Sequence, residues 1–263
     1  MKFIGIDLAW SSGYSGVCAL VWQENQLQLV ELNRLEKIAE ILSWLDDFVS
    51  PCEGALIAVD APTLIFNQTG MRLPDKLTHH YFHRYHAGCY PANLSRPFAA
   101  QTVGFGLSLE QRGFIHAPTI DPQQVGRYQI EVFPHPAMVN LFKLSKILKY
   151  KKGRLDSRKL ELIKLYHYTV NQLTVYQPQL NLNQSFFDLG SRLQQSITGK
   201  ELKEIEDKLD SLICAYVGAY WWYWGKDKNL ILGDASTGYI IIPAPFSEML
   251  GFVPQPNLHN KKI

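Results

Sequence analysis

Five acidic residues stand where folding would bring carboxylates together. Asp7 and Asp60 each follow a short apolar run, and Glu131 lies near the end of a third. Asp207 and Asp210 fall on one face of a strongly periodic helical segment, about one turn apart. Because α/β folds place ligand sites beyond the carboxyl ends of their strands, we predict that Asp7, Asp60, Glu131 and Asp210 form one acidic site, with Asp207 as an additional acid on the same helix face.

Such a site is suited to a divalent cation. Mg²⁺ and Mn²⁺ prefer oxygen ligands, and two ions about 4 Å apart activate water and stabilise the leaving oxygen of a phosphodiester. Taken singly, an aspartate after a strand is a common turn or helix-cap residue, and Asp207 could be solvated. Taken together, the five residues favour the functional interpretation.

Apolar periodicity predicts the elements that hold these acids. Strands are predicted over residues 2–8, 16–22 and 26–32, as an antiparallel meander with a turn at Glu24-Asn25, and then over 55–59, 128–133 and 239–242. Helices are predicted over 35–48, 138–148, 156–173 with Asp156 as the cap, and 199–224. Residues 63–127 lack clean periodicity, so we expect a single domain over 1–263 with an insertion at 63–127 and a loose tail from Pro254.

Composition excludes several classes of protein. With 263 residues, of which 46% are hydrophobic, the chain has enough apolar surface for a buried core. The net charge of +2 permits a nucleic-acid partner without demanding one. The four cysteines form no C-x-x-C pair, and no apolar run suits a signal peptide or a bilayer span. We therefore expect a cytoplasmic protein with reduced thiols and no membrane partner.

Basic and aromatic residues could contact a phosphate backbone. Lys149, Lys151, Lys152 and Arg154 form a basic run, for which a solvated loop is the ordinary explanation. Arg72, Arg84 and Arg96 alternate with Tyr81, Phe82, Tyr85 and Tyr90, a pattern equally typical of strand binding and of aromatic packing. The cluster His79, His80, His83, His86 and Cys89 has spacings that zinc accepts, but surface or substrate-contacting histidines are favoured.

Four motifs occur in an order that resembles a known family. They are GIDLAW at 5–10, VDAP at 59–62, IEVFPHP at 130–136 and DKLDSLICAY at 207–216. With the KYKKGR loop at 149–154 and STGYIIIP at 236–243, they resemble the family catalogued as domain of unknown function 429, described as predicted nucleases of ribonuclease-H-like fold. The resemblance extends from Lys2 to about Pro245.

The resemblance implies an α/β fold of the ribonuclease-H-like kind, with three antiparallel strands, two parallel strands, flanking helices and a long insertion. It implies Asp7 as the central metal bridge, with Asp60 and Asp210 completing the ligand set for Mg²⁺ or Mn²⁺. Glu131 and Asp207 would be auxiliary acids. Other ribonuclease-H-like enzymes often use glutamate at the position of Asp60.

The working hypothesis is metal-dependent phosphodiester hydrolysis of nucleic acid, with Asp7, Asp60, Glu131 and Asp210 as catalytic residues. Arg84, Lys149, Lys152 and Arg154 are the candidate substrate-binding residues, and Lys149 or Arg84 would neutralise the phosphate. One alternative is an actin-like ATPase or sugar kinase, because Ser11, Ser12 and Gly13 after Asp7 resemble a phosphate loop. That reading requires a second glycine-rich loop after Glu131, and none is visible. Another alternative is a non-catalytic nucleic-acid-binding or scaffold protein.

Overall fold

The computed structural model describes residues 1–196 and 198–245. Within them the strands are β1 (Lys2–Asp7), β2 (Ser15–Gln23), β3 (Gln26–Leu35), β4 (Ala55–Val59), β5 (Ile115–His116), β6 (Arg127–Glu131), β7 (Leu180–Asn181), β8 (Asn229–Asp234) and β9 (Gly238–Pro243). The α-helices are α1 (Ile38–Phe48), α2 (Leu73–Phe82), α3 (Ala99–Glu110), α4 (Pro134–Leu141), α5 (Leu155–Tyr168), α6 (Gln184–Gln195) and α7 (Gly199–Trp224).

The main sheet has the order β5-β6-β4-β1-β2-β3-β7. β1, β2 and β3 are antiparallel neighbours, whereas β4 runs parallel to β1, and β6 runs parallel to β4. The turn between β2 and β3 has positive φ at both Glu24 and Asn25, as the favoured two-residue hairpin turn requires. The predicted ribonuclease-H-like mixed sheet is therefore confirmed.

Helices cover both faces of this sheet. Alternation along the strands points Ile4, Ile6 and Val59 towards α1 and α3, and points Phe3 and Ala58 towards α7. The second of these faces is also covered by side chains of α4, α5 and α6. Odd-numbered residues of β1 thus face α7. An acid at the end of a strand can contact α7 only if strand alternation directs its side chain to this face.

Two glycines allow α7 to lie directly on the sheet. A Cβ atom at Gly5 would collide with backbone atoms of Ser211 and Ala215, and one at Gly16 would collide with the backbone of Asp207. Only a residue without a side chain permits backbone approach this close. The contact brings the helix segment that carries Asp207 and Asp210 against the end of β1.

The predicted 63–127 insertion contains α2, α3 and β5. β5 extends the main sheet beside β6, and α2 packs against the β8–β9 hairpin. Its helices lacked a clear apolar period, and with α6, β7 and β8 they were not predicted. Among the described residues, no helix combines the length and apolar character needed to cross a bilayer.

Several predicted boundaries were wrong. The helix predicted over 138–148 spans Pro134–Leu141, because proline suits the first turn of a helix, where its missing N–H is not needed. The helix predicted from residue 35 begins at Ile38, since β3 continues to Leu35. Asp156 lies in the first turn of α5, and Arg154 holds the cap position. The tail from Pro254 falls outside the described residues.

Candidate active site

Asp7 and Asp60 lie side by side at the ends of two parallel strands. Ile6 pairs with Val59, and the backbone N–H of Asp60 donates to the carbonyl of Ile6 at 2.9 Å. Because paired residues of neighbouring strands point to the same face, both carboxylates point towards α7. Both side chains are half-buried, so protein surrounds them while solvent still reaches them.

Asp210 approaches the same place from α7. Its side chain is fully buried, and Oδ1 accepts a hydrogen bond from the hydroxyl of Tyr150 at 2.6 Å. Nζ of Lys151 lies 2.8 Å from Oδ2, an ion pair that leaves this oxygen without a well-directed hydrogen bond. We call Asp7, Asp60 and Asp210 the strand-end cluster.

The strand-end cluster concentrates negative charge. Burial raises the pKa of Asp7 to about 7, with Lys151 opposing the rise and Asp210 adding to it. Burial likewise raises the pKa of Asp60 well above its usual value, again against the effect of Lys151. Burial alone would lower the pKa of Lys151, but Asp210, Asp7 and Asp60 outweigh it and raise that pKa. Lys151 therefore stays protonated, and its single positive charge does not offset the burial that favours the neutral forms of Asp7 and Asp60.

Glu131 does not join this cluster. It pairs with Val59 rather than Asp60, so strand alternation directs its side chain to the opposite face of the sheet. There the Arg72 guanidinium donates to both Glu131 oxygens, at 2.7 and 2.8 Å, and also to Asp75 at 2.8 Å. We call Glu131, Asp75 and Arg72 the arginine cluster, and all three are buried.

The arginine cluster is saturated by partners from the fold. Asp75 also accepts from the backbone N–H groups of Arg72 and Ala92. Burial opposes the charge of Arg72, but Glu131 and Asp75 outweigh it and raise its pKa beyond the usual range. Burial raises the pKa of Glu131 to about 7 while Arg72 opposes the rise. Because Arg72 donates to both Glu131 oxygens, both must act as acceptors, and this bidentate contact favours the ionised form of Glu131.

Asp207 is also held by partners of its own. Oδ2 accepts from Nε of Arg34 on β3 at 2.6 Å, and Oδ1 lies 2.8 Å from Nζ of Lys203. Its neighbour Glu206 pairs with the same lysine at 2.7 Å. Asp207 is therefore close enough to influence Asp7 electrostatically, but its oxygens are committed to structural ion pairs.

Three of the four predicted substrate-binding residues lie together. Lys149, Lys152 and Arg154 line one groove of about 580 Å³, together with Lys164 of α5. Arg84 lies apart from the groove lining, and its guanidinium donates to the hydroxyl of Tyr85 at 2.7 Å. The Tyr85 carbonyl accepts from the N–H of Ile147, a groove residue, so Arg84 belongs to the segment at the groove edge.

The profile of the family described as "Protein of unknown function (DUF429)" matches residues 5–235, which include every acid discussed above. The chain belongs to this family. A solved structure, "T. thermophilus RuvC in complex with Holliday junction substrate", aligns over 83% of this chain and 97% of its own. The identity is 11% and the TM-score 0.31. No curated protein matches the chain.

His135 is a feature of this DUF429 protein that sequence reasoning missed. Its ring lies 5.5 Å from that of Tyr150, and its buried Nδ1 has no hydrogen-bond partner. Burial lowers the pKa of His135 to about 4, with Lys151 adding to the effect and Asp210 opposing it. The imidazole is therefore neutral beside a protonated lysine. Its position four residues after Glu131, at a strand-to-helix junction, was the available signal.

The histidine cluster of the insertion has a different character. His79, His80, His83 and His86 are exposed, and Nδ1 of His83 contacts the carbonyl of His79 at 3.0 Å. The Cys89 thiol points towards Asp75 at 3.8 Å, and burial raises its pKa well above its usual value. A protonated thiol is a poor zinc ligand.

The residues present fit a hard divalent cation in part. Among the described residues, no three His, Cys, Asp or Glu side chains converge at the spacing that holds a metal ion. Asp7 and Asp60 nevertheless provide two accessible carboxylates, and Mg²⁺ is usually held by one or two carboxylates while keeping several waters. Asp210 adds an oxygen whose only cationic neighbour is Lys151 within the described chain. The ligand set of Asp7, Asp60 and Asp210 stays a prediction.

Proposed function

We propose that this protein is a nuclease that hydrolyses phosphodiester bonds of nucleic acid with the help of Mg²⁺ or Mn²⁺. The observation that carries the proposal is the strand-end cluster: two half-buried carboxylates on adjacent parallel strands, facing a third on α7, with one lysine among them. Such an excess of buried negative charge is costly unless a cation binds. Ribonuclease-H-like topology is compatible with this chemistry but does not establish it.

Each residue has a distinct role in the proposal. Asp7 and Asp60 would hold the metal ion, which when bound lowers the pKa of water and stabilises charge on phosphate oxygens. Asp210 would orient Lys151 and contribute negative charge.

The basic groove would position the substrate. Lys149, Lys152 and Arg154 present positive charge along one groove that begins next to Lys151 in the chain. Lysine and arginine side chains contact phosphates independently of base sequence, so we expect binding that weakens as salt rises. Arg84 at the groove edge would extend this contact, because its guanidinium is exposed and lies over the half-buried ring of Tyr85.

The test is cleavage of labelled single-stranded DNA, duplex DNA, RNA–DNA hybrid and four-way junction, each with Mg²⁺ or Mn²⁺. We expect at least one substrate to be cut by the wild type. Asp7→Asn and Asp60→Asn should lower the rate by about a hundredfold or more, the scale for removing a group that stabilises transition-state charge. Asp46→Asn, at an exposed ion pair with Arg112, is the matched control and should retain full activity.

Three outcomes would contradict the proposal. Full metal-dependent activity in Asp7→Asn would remove the strand-end cluster from the chemistry. Tight binding without cleavage under every divalent ion would favour a non-catalytic binding protein. ATP turnover that depends on Ser11 and Ser12 would favour the kinase-like alternative, although a phenylalanine and a proline-led helix follow Glu131 where that alternative requires a glycine-rich loop.

A further inference from the structure

We propose that the strand-end cluster binds one divalent metal ion and that the ammonium of Lys151 occupies the position that a second metal ion would otherwise take. This inference rests on the proposed function, because it assumes that Asp7 and Asp60 bind a metal ion. It assigns to Lys151 a role distinct from that of the other lysines in the same loop.

The contacts of Asp210 are the first argument. Tyr150 occupies Oδ1 at 2.6 Å, and the Lys151 ammonium occupies the side of Oδ2 at 2.8 Å. No other cation lies within ion-pair distance of Asp210 among the described residues. A metal ion that bound Asp210 would have to displace Lys151. Asp7 and Asp60 form no ion pair in the described part of the chain, so a metal ion could bind them without displacing a lysine.

Charge balance is the second argument. Asp7, Asp60 and Asp210 carry three negative charges when ionised, and Lys151 returns one positive charge. One divalent ion then brings the cluster to neutrality, whereas two would leave it strongly positive. Buried sites tolerate net charge poorly, so the composition of the cluster favours a single metal ion.

The loop that carries Lys151 is anchored, which is the third argument. Tyr150 is buried at 1% exposure, and its carbonyl accepts from Nε of Arg158 at 2.9 Å. Arg158 also lies 3.5 Å from Glu206 on α7. Because the hydroxyl and the carbonyl of Tyr150 are both held, the backbone of Lys151 stays close to Asp210. A buried carboxylate left without its partner is also strongly unfavourable, so the ion pair resists opening.

Lys152 provides an internal contrast. It is the next residue along the chain, but its side chain is exposed and lines the basic groove. The two lysines carry the same charge and belong to the same loop. They differ only in whether the ammonium faces the carboxylates. This makes Lys152→Gln a matched control for Lys151→Gln.

The experiment counts Mn²⁺ ions bound per chain by isothermal titration calorimetry with MnCl₂, without substrate. Asp7→Asn serves as the blank, so that only ions bound at the strand-end cluster are counted. We expect one ion for the wild type, for Lys151→Arg and for Lys152→Gln, and two ions for Lys151→Gln. Circular dichroism of each variant checks that the fold is retained.

The outcomes separate this inference from the proposed function. Two ions in the wild type would overturn the inference and leave the proposed function intact, and this result needs no variant of Lys151 to fold. A folded Lys151→Gln variant that still binds one ion would overturn it as well. A wild type that binds no Mn²⁺ would overturn both, whereas the expected one-to-two change supports the inference.

Discussion

The strand-end cluster and the arginine cluster are two groups of carboxylates at the same edge of the sheet. The arginine cluster is buried, whereas Asp7 and Asp60 of the strand-end cluster are half-buried. In the arginine cluster the fold supplies the partners: the Arg72 guanidinium contacts Glu131 and Asp75, and backbone N–H groups donate to Asp75. In the strand-end cluster the fold supplies one lysine for three acids, and Asp7 and Asp60 form no ion pair in the described residues. Both clusters hold more acids than basic groups, but among the described residues only the strand-end cluster contains carboxylates, those of Asp7 and Asp60, that form no ion pair.

The difference teaches how a structural acid is told from a functional one. A buried carboxylate that is paired and hydrogen-bonded holds parts of the chain together, and here Arg72 links the predicted insertion to β6. A buried carboxylate without enough partners lowers stability unless a ligand binds it. The comparison makes opposite predictions for substitutions in the two clusters.

The largest expected effect follows from removing the centre of the arginine cluster. Arg72→Met leaves Glu131 and Asp75 buried without their cation, which typically costs about 3–5 kcal/mol. We expect a loss of that size in the free energy of unfolding, measured by urea denaturation at pH 7. Arg112→Met is the control, because it removes an ion pair with the exposed Asp46 and should cost at most about 1 kcal/mol. Similar losses for the two variants would contradict the assignment of Arg72.

The strand-end cluster should respond in the opposite sense. Asp7→Asn removes a negative charge from an unbalanced site, so metal-free stability should not fall. Asp7→Asn should instead lose the stabilisation that a bound metal ion provides. That stabilisation is about 2.7 kcal/mol when the free metal concentration is a hundred times the Kd. Urea denaturation with and without Mn²⁺ measures this difference. Glu131→Gln should retain the Mn²⁺ effect, and an equal Mn²⁺ effect in Asp7→Asn would exclude the strand-end cluster as the metal site.

The comparison also shows where sequence reasoning succeeds. The periodicity of α7 and the apolar run of β4 are strong, and the predicted bounds of 199–224 and 55–59 agree with the structure. The prediction that Asp7, Asp60 and Asp210 lie close together follows from strand ends and a long helix that meet at one edge of such a sheet, and their role as a ligand set stays a prediction. These predictions depend on local patterns and topology, which a single sequence carries.

The positions of Glu131 and Lys151 relative to the acidic site were not predicted, because they depend on strand register and on tertiary contact. A shift of one residue in the pairing of β4 with β6 would turn Glu131 to the face of Asp60, and no local pattern specifies that register. Lys151 was considered as a phosphate contact in a basic loop, since its ion pair with Asp210 joins residues far apart in the chain. The insertion helices α2 and α3 hold too few periodic apolar residues to be recognised.

A smaller effect is expected from pH. The pKa of Asp7 rises from 3.8 to about 7 on folding, so the folded state binds this proton more tightly than the unfolded state. The associated stability is present below pH 3.8 and is lost as pH rises through about 7. The lowered pKa of His135 acts oppositely, with stability lost as pH falls from 6.5 through about 4.

The difference between variants separates the contribution of Asp7 and its effect on Asp60 from that of His135. Metal-free wild type and Asp7→Asn share His135, so its effect cancels in the difference of their unfolding free energies. We expect the advantage of Asp7→Asn over the wild type to grow between pH 5 and pH 8, measured by urea denaturation in the presence of a chelator. A difference that stays constant over this range would show that Asp7 is not destabilised by its surroundings.

The smallest expected effect belongs to Lys152, outside both clusters. Its side chain is exposed in the basic groove, so Lys152→Gln should change the free energy of unfolding by no more than about 0.5 kcal/mol. If the groove contacts a phosphate, the slope of log K against log salt should become shallower by about 1. Fluorescence anisotropy with labelled single-stranded DNA measures the slope, and an unchanged slope would exclude Lys152 as a phosphate contact. If Lys152 contacts a phosphate, two adjacent lysines have different functions, because Lys151 faces the carboxylates of the strand-end cluster instead.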